Sequence, residues 1–481
     1  MTSPEGIERF GYRQELRRTV GFADMLFYGL IFMVPIAPFG IFGSVFTASG
    51  GMVALAYTIG MVAMVFTAWS YSQMVQAFPM AGSVYSYAGR GIAPAVGFLA
   101  GWAILLDYIL VPSLLYVIAA VAMNSIVTSV PVWAWLVGFL LLNTIVNMLG
   151  IKLTMGVTRL LLIGELIVLA IFIVLGVKGL IDGRGQGFSW DAFYNSDTFT
   201  WGVAFGAAST AVLSFLGFDG ISMLAEENKG TAKQIGRAMA GALGLAGVLF
   251  IAQTWVASMY VAPETAKALF DGADGSNAFY DAAALAANGK WLATVTAAAT
   301  AIAWGFADSL VAQVATSRLL YAMSRDRQLP KFLSKVSVKQ GVPTNSILVV
   351  SGISLGVGLW AVLDEAALGD HITLLGNTVN FGAMLAFLAL HVSVIWHFVV
   401  RNKSRNIFGH VVMPVIGIAI LVGVVINANL VAQKVGLAWL GLGVLVLILL
   451  YVMKRGPKFP ATVSGPTGEP DKAPAFSGTN Q

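Results

Sequence analysis

The 481-residue chain is 58% hydrophobic and 11% charged, with a formal net charge of +5 and no cysteine. Ordinary soluble domains carry about 25% charged residues, so a water-soluble globule is excluded. The missing thiols exclude disulfides, thiolate metal sites and cysteine nucleophiles.

Apolar runs long enough at about 20 residues to cross a bilayer as helices predict about twelve spans. They lie near 20–47, 51–74, 93–122, 130–149, 157–180, 200–228, 238–262, 291–322, 344–363, 372–399, 408–431 and 436–453. The runs are continuously apolar, whereas barrel strands would be about ten residues long and alternate in polarity. An all-α membrane protein is therefore expected. The arm at 1–19 is polar, carries Arg9, Arg13, Arg17 and Arg18, and lacks the short apolar core of a cleaved signal peptide.

Polar connections near 76–92, 150–158, 228–237, 318–343 and 401–406 fall on the same side as this arm. The longer loops near 182–200 and 262–289 fall opposite and have room for short surface helices. With the arm inside, only Lys178, Arg184, Lys267, Lys290 and Lys434 of the 28 Lys and Arg lie outside. That is the positive-inside pattern, which predicts a multi-pass protein of the inner or plasma membrane with both termini cytoplasmic. The basic excess then reports topology, and no nucleic-acid partner is expected. The tail at 454–481, rich in Pro, Gly, Ser and Thr, reads as disordered. No polar segment is long enough to bury a core of its own.

Two spans carry polar, glycine-rich interruptions: FGIFG from Phe39 to Gly43, preceded by Pro35 and Pro38, and LGFDG from Leu216 to Gly220. Proline removes a backbone donor and clashes with the preceding turn, so the first span is expected to break around 35–43. Interruptions five spans apart point to an inverted repeat of spans one to five against six to ten. Unwound backbone at membrane depth is tolerated where it lines a cavity, and its free groups then suit a ligand. Half-helix N-termini favour a carboxylate, and exposed carbonyls favour an ammonium or sodium ion. The alternative is that these glycines and prolines only pack or kink the helices.

Three stretches carry a family resemblance: FPMAGSVYSY from Phe78 to Tyr87, FLGFDG from Phe215 to Gly220 continuing to Asn228, and SRLLYAMSRD from Ser317 to Asp326, with Pro330 and Pro343 beyond it. In this order and these places they resemble the amino acid-polyamine-organocation superfamily of permeases, over roughly residues 20–455. The resemblance implies a LeuT-type core, with repeats at 20–180 and 200–399 and two peripheral helices at 408–453. Leu106-Asp107-Tyr108 and Asn380-Phe381-Gly382-Ala383 look similar to the bacterial putrescine and polyamine importers and related amino acid permeases. That branch has an acidic residue in the first-helix break where this chain has Gly40. A diamine needs an anionic partner for each ammonium, so the departure leaves room for a zwitterionic amino acid or another small amine.

The candidate substrate residues are Gly40, Ile41, Phe42 and Gly43 in the first span, Asp107 and Tyr108 in the third, and Phe215, Gly217, Phe218 and Asp219 in the sixth. Intramembrane carboxylates are functional by default. Asp107 would meet an amine with Tyr108 as its cation–π wall, unless the pair serves helix packing. Asp219 would face the amine or hold the break open. Glu226 is added from the resemblance; with Glu227 it would otherwise form a solvated inner gate with Lys229 and Lys233. Glu165, the lone acid of the fifth span, is the candidate for the coupling proton, with a structural partnership to Asn143 as the alternative. Asp308 and Ser309 could supply oxygens for sodium. Phe39, Phe42, Phe215, Phe218 and Trp304 are candidate gates or plain packing, and His391 reads as packing.

The function these features predict is a secondary importer of a small amine, amino acid or polyamine, driven by protons through alternating access. A sodium symporter, an exchanger and a transporter-like sensor are the alternatives. No metal-ligand spacing, activated nucleophile or phosphate loop suggests an enzyme, and no filter or charged ring suggests a channel. No cofactor is expected beyond the coupling ion, H+ or alternatively Na+. Nothing in the sequence sets an oligomeric state.

Overall fold

Two prolines shape the first span. In the computed structural model, which describes residues 6–460 apart from 13, 274 and 427–429, α1 (Phe22–Met33) stops just before Pro35. Val34 turns to φ 48°, and α2 (Ala37–Ala48) restarts at 43° to the first half. Pro38 falls in the first turn of α2, where a missing N–H costs no helical bond. The break thus covers 34–36, a turn earlier than the glycine-rich 39–43, which is helical. Those glycines permit close approach instead. A Cβ on Gly40 would lie 2.9 Å from the Trp304 ring, and one on Gly43 would overlap the Gly275 backbone at 2.1 Å.

The second span is α3 (Val53–Ala77), and its connection to the third contains a buried helix, α4 (Ser83–Gly91). Spans three to five are α5 (Pro94–Ile126), α6 (Val132–Leu149) and α7 (Ile151–Ile181). The sixth starts as α8 (Trp201–Ala211) and continues as two 3₁₀ segments, Val212–Phe215 and Phe218–Glu227, on either side of Gly217 at φ 113°. The seventh is α9 (Ala232–Ser258). After α10 (Pro263–Phe270) and α11 (Ala278–Ala287), the eighth span joins α12 (Lys290–Ile302) to α13 (Ser309–Arg325) through a π-turn, Ala303–Asp308. The last four are α14 (Thr344–Leu363), α15 (Leu368–Val394) with a π-turn to Arg401, α16 (Met413–Ile426) and α17 (Leu430–Val452).

Eleven helices are long and apolar enough to cross a membrane among the described residues, and the bent pair α1–α2 makes a twelfth span. Burial sorts them. Of the most apolar window, 72% is buried in the third span and 17% in the twelfth, so the third is central and the twelfth peripheral. The second span packs along the seventh, the third along the tenth, and α1 against both the seventh and the lower half of the sixth.

The two long loops differ. The 182–200 loop holds turns and no helix, so the expected surface helix is absent there. The 262–289 loop holds two, and α11 is more than a surface element: Phe279 is fully buried, stacked 4.0 Å from Phe39 and tilted against Phe172 at 4.6 Å. The expected disorder of 454–481 also needs correction. Residues 457–460 fold back onto α4, with Phe459 against Tyr85 and Gly89. Residues 461–481 lie outside the described part of the chain.

Candidate substrate cavity

The two broken spans touch at their breaks. A Cβ on Gly217 would lie 2.4 Å from the Phe32 carbonyl oxygen, and its φ of 113° already disfavours any side chain. Backbone groups freed at the breaks find protein partners, as buried groups in a membrane must: the Gln253 amide of α9 donates to the Pro35 carbonyl at 2.9 Å. Gly217→Ala therefore combines strain with overpacking, each about 1–3 kcal/mol. It is expected to lower the melting temperature of the purified protein and abolish uptake; wild-type values for both would show that the contact of the breaks is dispensable.

Asp219 ties three elements together. Its Oδ2 accepts from Tyr108 of α5 at 2.6 Å and from Tyr71 of α3 at 3.2 Å, and the Tyr71 hydroxyl meets Ser83 at 2.9 Å. These donors satisfy the carboxylate, which holds the sixth break against its neighbours and does not line the cavity beside it.

That cavity has a volume of about 450 Å³, a size typical of small-ligand sites. It starts at Phe32, Val34 and Gly217 and runs past Ile41 and Ser44 toward the end opposite the N-terminal arm. Two carboxylates reach it, Asp107 from the middle of α5 and Asp308 from the π-turn, a helix distortion frequent at functional sites. Each has an Oδ1 that is buried without a hydrogen-bond partner among the described residues. Among the described residues no Lys, Arg or His lines the cavity. Trp304 and Phe32 form apolar walls, and Phe32 stacks on Tyr108 with ring centres 6.4 Å apart. On α15, Asn380 donates to the Ser209 carbonyl at 2.7 Å, and its own Oδ1 has no partner among the described residues.

Glu165 lies outside the cavity. It is 5% exposed, neither carboxyl oxygen has a partner among the described residues, and it is within electrostatic reach of Asp308. Asn143, the alternative structural partner, is committed elsewhere: its amide donates to Ser309 at 2.7 Å, Tyr116 at 3.2 Å and the Gly305 carbonyl at 3.3 Å. Ser309 accordingly faces α6, so Asp308 and Ser309 do not converge on the first-helix break.

Of the predicted substrate residues, the structure brings Ile41, Asp107, Tyr108 and Gly217 to the cavity, with Asp308 beside them. It places Gly40 under Trp304 and Phe42 among Phe46 and Phe279. Gly43 abuts a loop backbone, because the break came a turn earlier. Phe215 packs on Phe250 at 5.1 Å, and Phe218 on Tyr71 at 5.8 Å and Phe387 at 6.0 Å, both behind the cavity. His391 bonds Ser70 at 2.8 Å between spans two and ten.

Glu226 sits at the other end of the bundle, bound by Arg325 at 2.9 and 3.0 Å and by the Ala81 amide at 3.1 Å. Glu227 pairs with Arg318. The solvated gate expected with Lys229 and Lys233 is instead buried and built from arginines. The sixth span ends in a 3₁₀ segment lying against α13, which turns both carboxylates toward that helix. Phe32, Ser209, Asn377 and Asn380 were not singled out as wall residues. The last two form an i, i+3 pair of amides inside an apolar run, and that spacing was the available signal.

Residues 25–453 match the amino acid permease family. The chain belongs to that family. The permease is 29% identical over 457 residues to the low-affinity putrescine importer PlaP of Escherichia coli K12, covering 92% of this chain and 96% of that protein. It is 25% identical over 468 residues to the branched-chain amino acid permease BcaP of Bacillus subtilis 168, covering 92% and 94%. It is 24% identical over 464 residues to the methylthioribose transporter of the same organism, covering 89% and 90%. The permease is thus a multi-pass membrane transporter and not an enzyme.

Proposed function

We propose that the permease imports a small organic amine, first a putrescine-like diamine, in symport with protons and by alternating access. The observation that carries this is the pair Asp107 and Asp308, two carboxylates in one cavity with no ion-pair partner and no basic side chain there among the described residues. Unpaired charge in a water-poor site is costly, so the pair favours cations. One diamine neutralises both groups. Asp308 then supplies the second anion that Gly40 cannot. The similarity to a putrescine importer supports this reading, and the similarity to a branched-chain amino acid permease makes zwitterions the competitors to test.

The asymmetry of Lys and Arg supports cytoplasmic termini. On that orientation the cavity extends outward and the Arg–Glu pairs close the cytoplasmic end, a state ready to receive substrate. Rocking of one five-span repeat against the other would expose the same site inward. Glu165, buried near Asp308 and without a hydrogen-bond partner among the described residues, is the group assigned to the coupling proton.

Uptake into proteoliposomes tests both parts. Diamines are expected to compete better than monoamines and far better than amino acids, with accumulation requiring acid on the cavity side. Glu165→Gln is expected to retain exchange of labelled substrate and lose proton-driven accumulation. Competition by amino acids alone would reject the amine assignment. Full proton-driven accumulation by Glu165→Gln would remove that residue from coupling, and a requirement for sodium would replace the proton.

A further inference from the structure

The end of the bundle carrying the N-terminal arm is closed by more than two ion pairs. Arg90, near the end of α4, lies with its guanidinium carbon 5.1 Å from the ring centre of Phe10, 5.2 Å from Tyr12 and 5.2 Å from Phe459. It donates to the carbonyl of Phe10 at 3.1 Å and to that of Pro460 at 3.5 Å. One cation thereby holds both the segment before the first span and the segment after the twelfth. The Phe459 ring fills the notch over Gly89, where a Cβ would overlap it at 2.2 Å, and packs on Tyr85 with ring centres 5.4 Å apart.

The same contacts reach the eighth span. Tyr85 and Tyr12 donate to the two carboxylate oxygens of Asp326 at 2.6 and 2.8 Å, one residue beyond α13. The Arg325 guanidinium lies 4.0 Å over the Tyr12 ring while binding Glu226 of the sixth span. A continuous chain of contacts therefore runs from Phe459 through α4 and the arm to the ends of spans six and eight.

We infer that residues 457–460 form a strap that latches this end shut, and that the strap leaves Arg90 each time the end opens. A path at this end requires α4 and the arm to part from the ends of spans six and eight, and the strap is fastened across those elements. Its own attachment is small beside those ion pairs: Pro457 buried, one ring in a glycine notch against Tyr85, and one shared cation. Such a contact releases readily, unlike the buried ion pairs beneath it. The twelfth span, which carries the strap, contributes no residue to the cavity, so the strap acts on opening and leaves substrate contacts untouched.

The absence of cysteine allows a direct test. Ala322 is fully buried on α13, near Gly82. The thiol introduced by Ala322→Cys reports opening at this end in full-length protein held in nanodiscs without substrate. Labelling by a polar maleimide is expected to rise about fivefold with Phe459→Ala, the shift produced by losing about 1 kcal/mol of cation–π and ring contact. Gly89→Ala, which evicts the ring by overlap, is expected to do the same. Lys458→Ala, an exposed neighbour, is expected to change nothing. Unchanged labelling in Phe459→Ala overturns the strap, as does an equal rise in Lys458→Ala. A rise matched by a fall in melting temperature marks general loosening and overturns it too. None of these readings depends on what the permease carries.

Discussion

Asp107→Asn is expected to lower kcat/KM for the preferred amine by roughly 100-fold, within the 2–5 kcal/mol that follows loss of one partner from a buried charge pair. The amide keeps the volume of the carboxylate and removes only its charge, so an ammonium entering the cavity lacks its counter-ion. Asp308→Asn should act equally on a diamine and less on a monoamine, since a single ammonium can remain with Asp107. Stability separates this from damage to the fold. Asp107 Oδ1 has no partner to lose among the described residues, and the substitution relieves repulsion with Asp308, so the melting temperature of the empty protein should hold or rise. Proteoliposome kinetics and a thermal melt of the same preparation decide the matter. Uptake within about threefold of wild type, a change worth about 0.6 kcal/mol, would mean that the substrate's charge is met elsewhere.

How much of this could be read from the chain follows from how local each determinant is. Bilayer thickness dictates the length of an apolar run, so the twelve spans and their order were legible, and Thr344–Leu363 matched to the residue. The sixth break was legible because Gly217 has a local reason to be glycine. The first, expected around 35–43 from Pro35, Pro38 and the glycines, opens at the Pro35 end of that stretch, while Gly40 and Gly43 lie in the helix and admit a neighbouring ring and backbone instead. Asp107 and Asp308 stood out as acids at membrane depth, but their sharing of one cavity depends on how α5 packs against the eighth span. The partners of Glu227 and Glu226 lie 91 and 99 residues away, beyond any local pattern, and nearby lysines were the wrong choice for that reason. Helix α4 was hidden because its small and aromatic residues form no apolar run, yet it carries Tyr85 and Arg90 to the closed end.

The second large effect is expected at Glu227. Its pairing with Arg318 leaves both side chains at most 2% exposed, and one guanidinium nitrogen of Arg318 is buried without a partner among the described residues even so. The Glu227 carbonyl also accepts from the amides of Thr19 and Val20 at 2.9 and 3.0 Å, docking the arm at the same point. Glu227→Gln strands a buried guanidinium, which typically costs about 3–5 kcal/mol. That cost falls on the state in which this end is closed, because an open end admits water to Arg318. The variant is therefore expected to be less stable when closed and to shift toward opening at the arm's end, weakening substrate binding from the cavity side by 30-fold or more on the order expected from such a shift. Adding Arg318→Met removes the stranded charge and should recover most of the stability, since apolar replacements of a buried pair are often neutral. Binding titrations and thermal melts of the single and double variants test this: equal losses in both would show that the carboxylate is needed for its own contacts, and the pair would not be the gate.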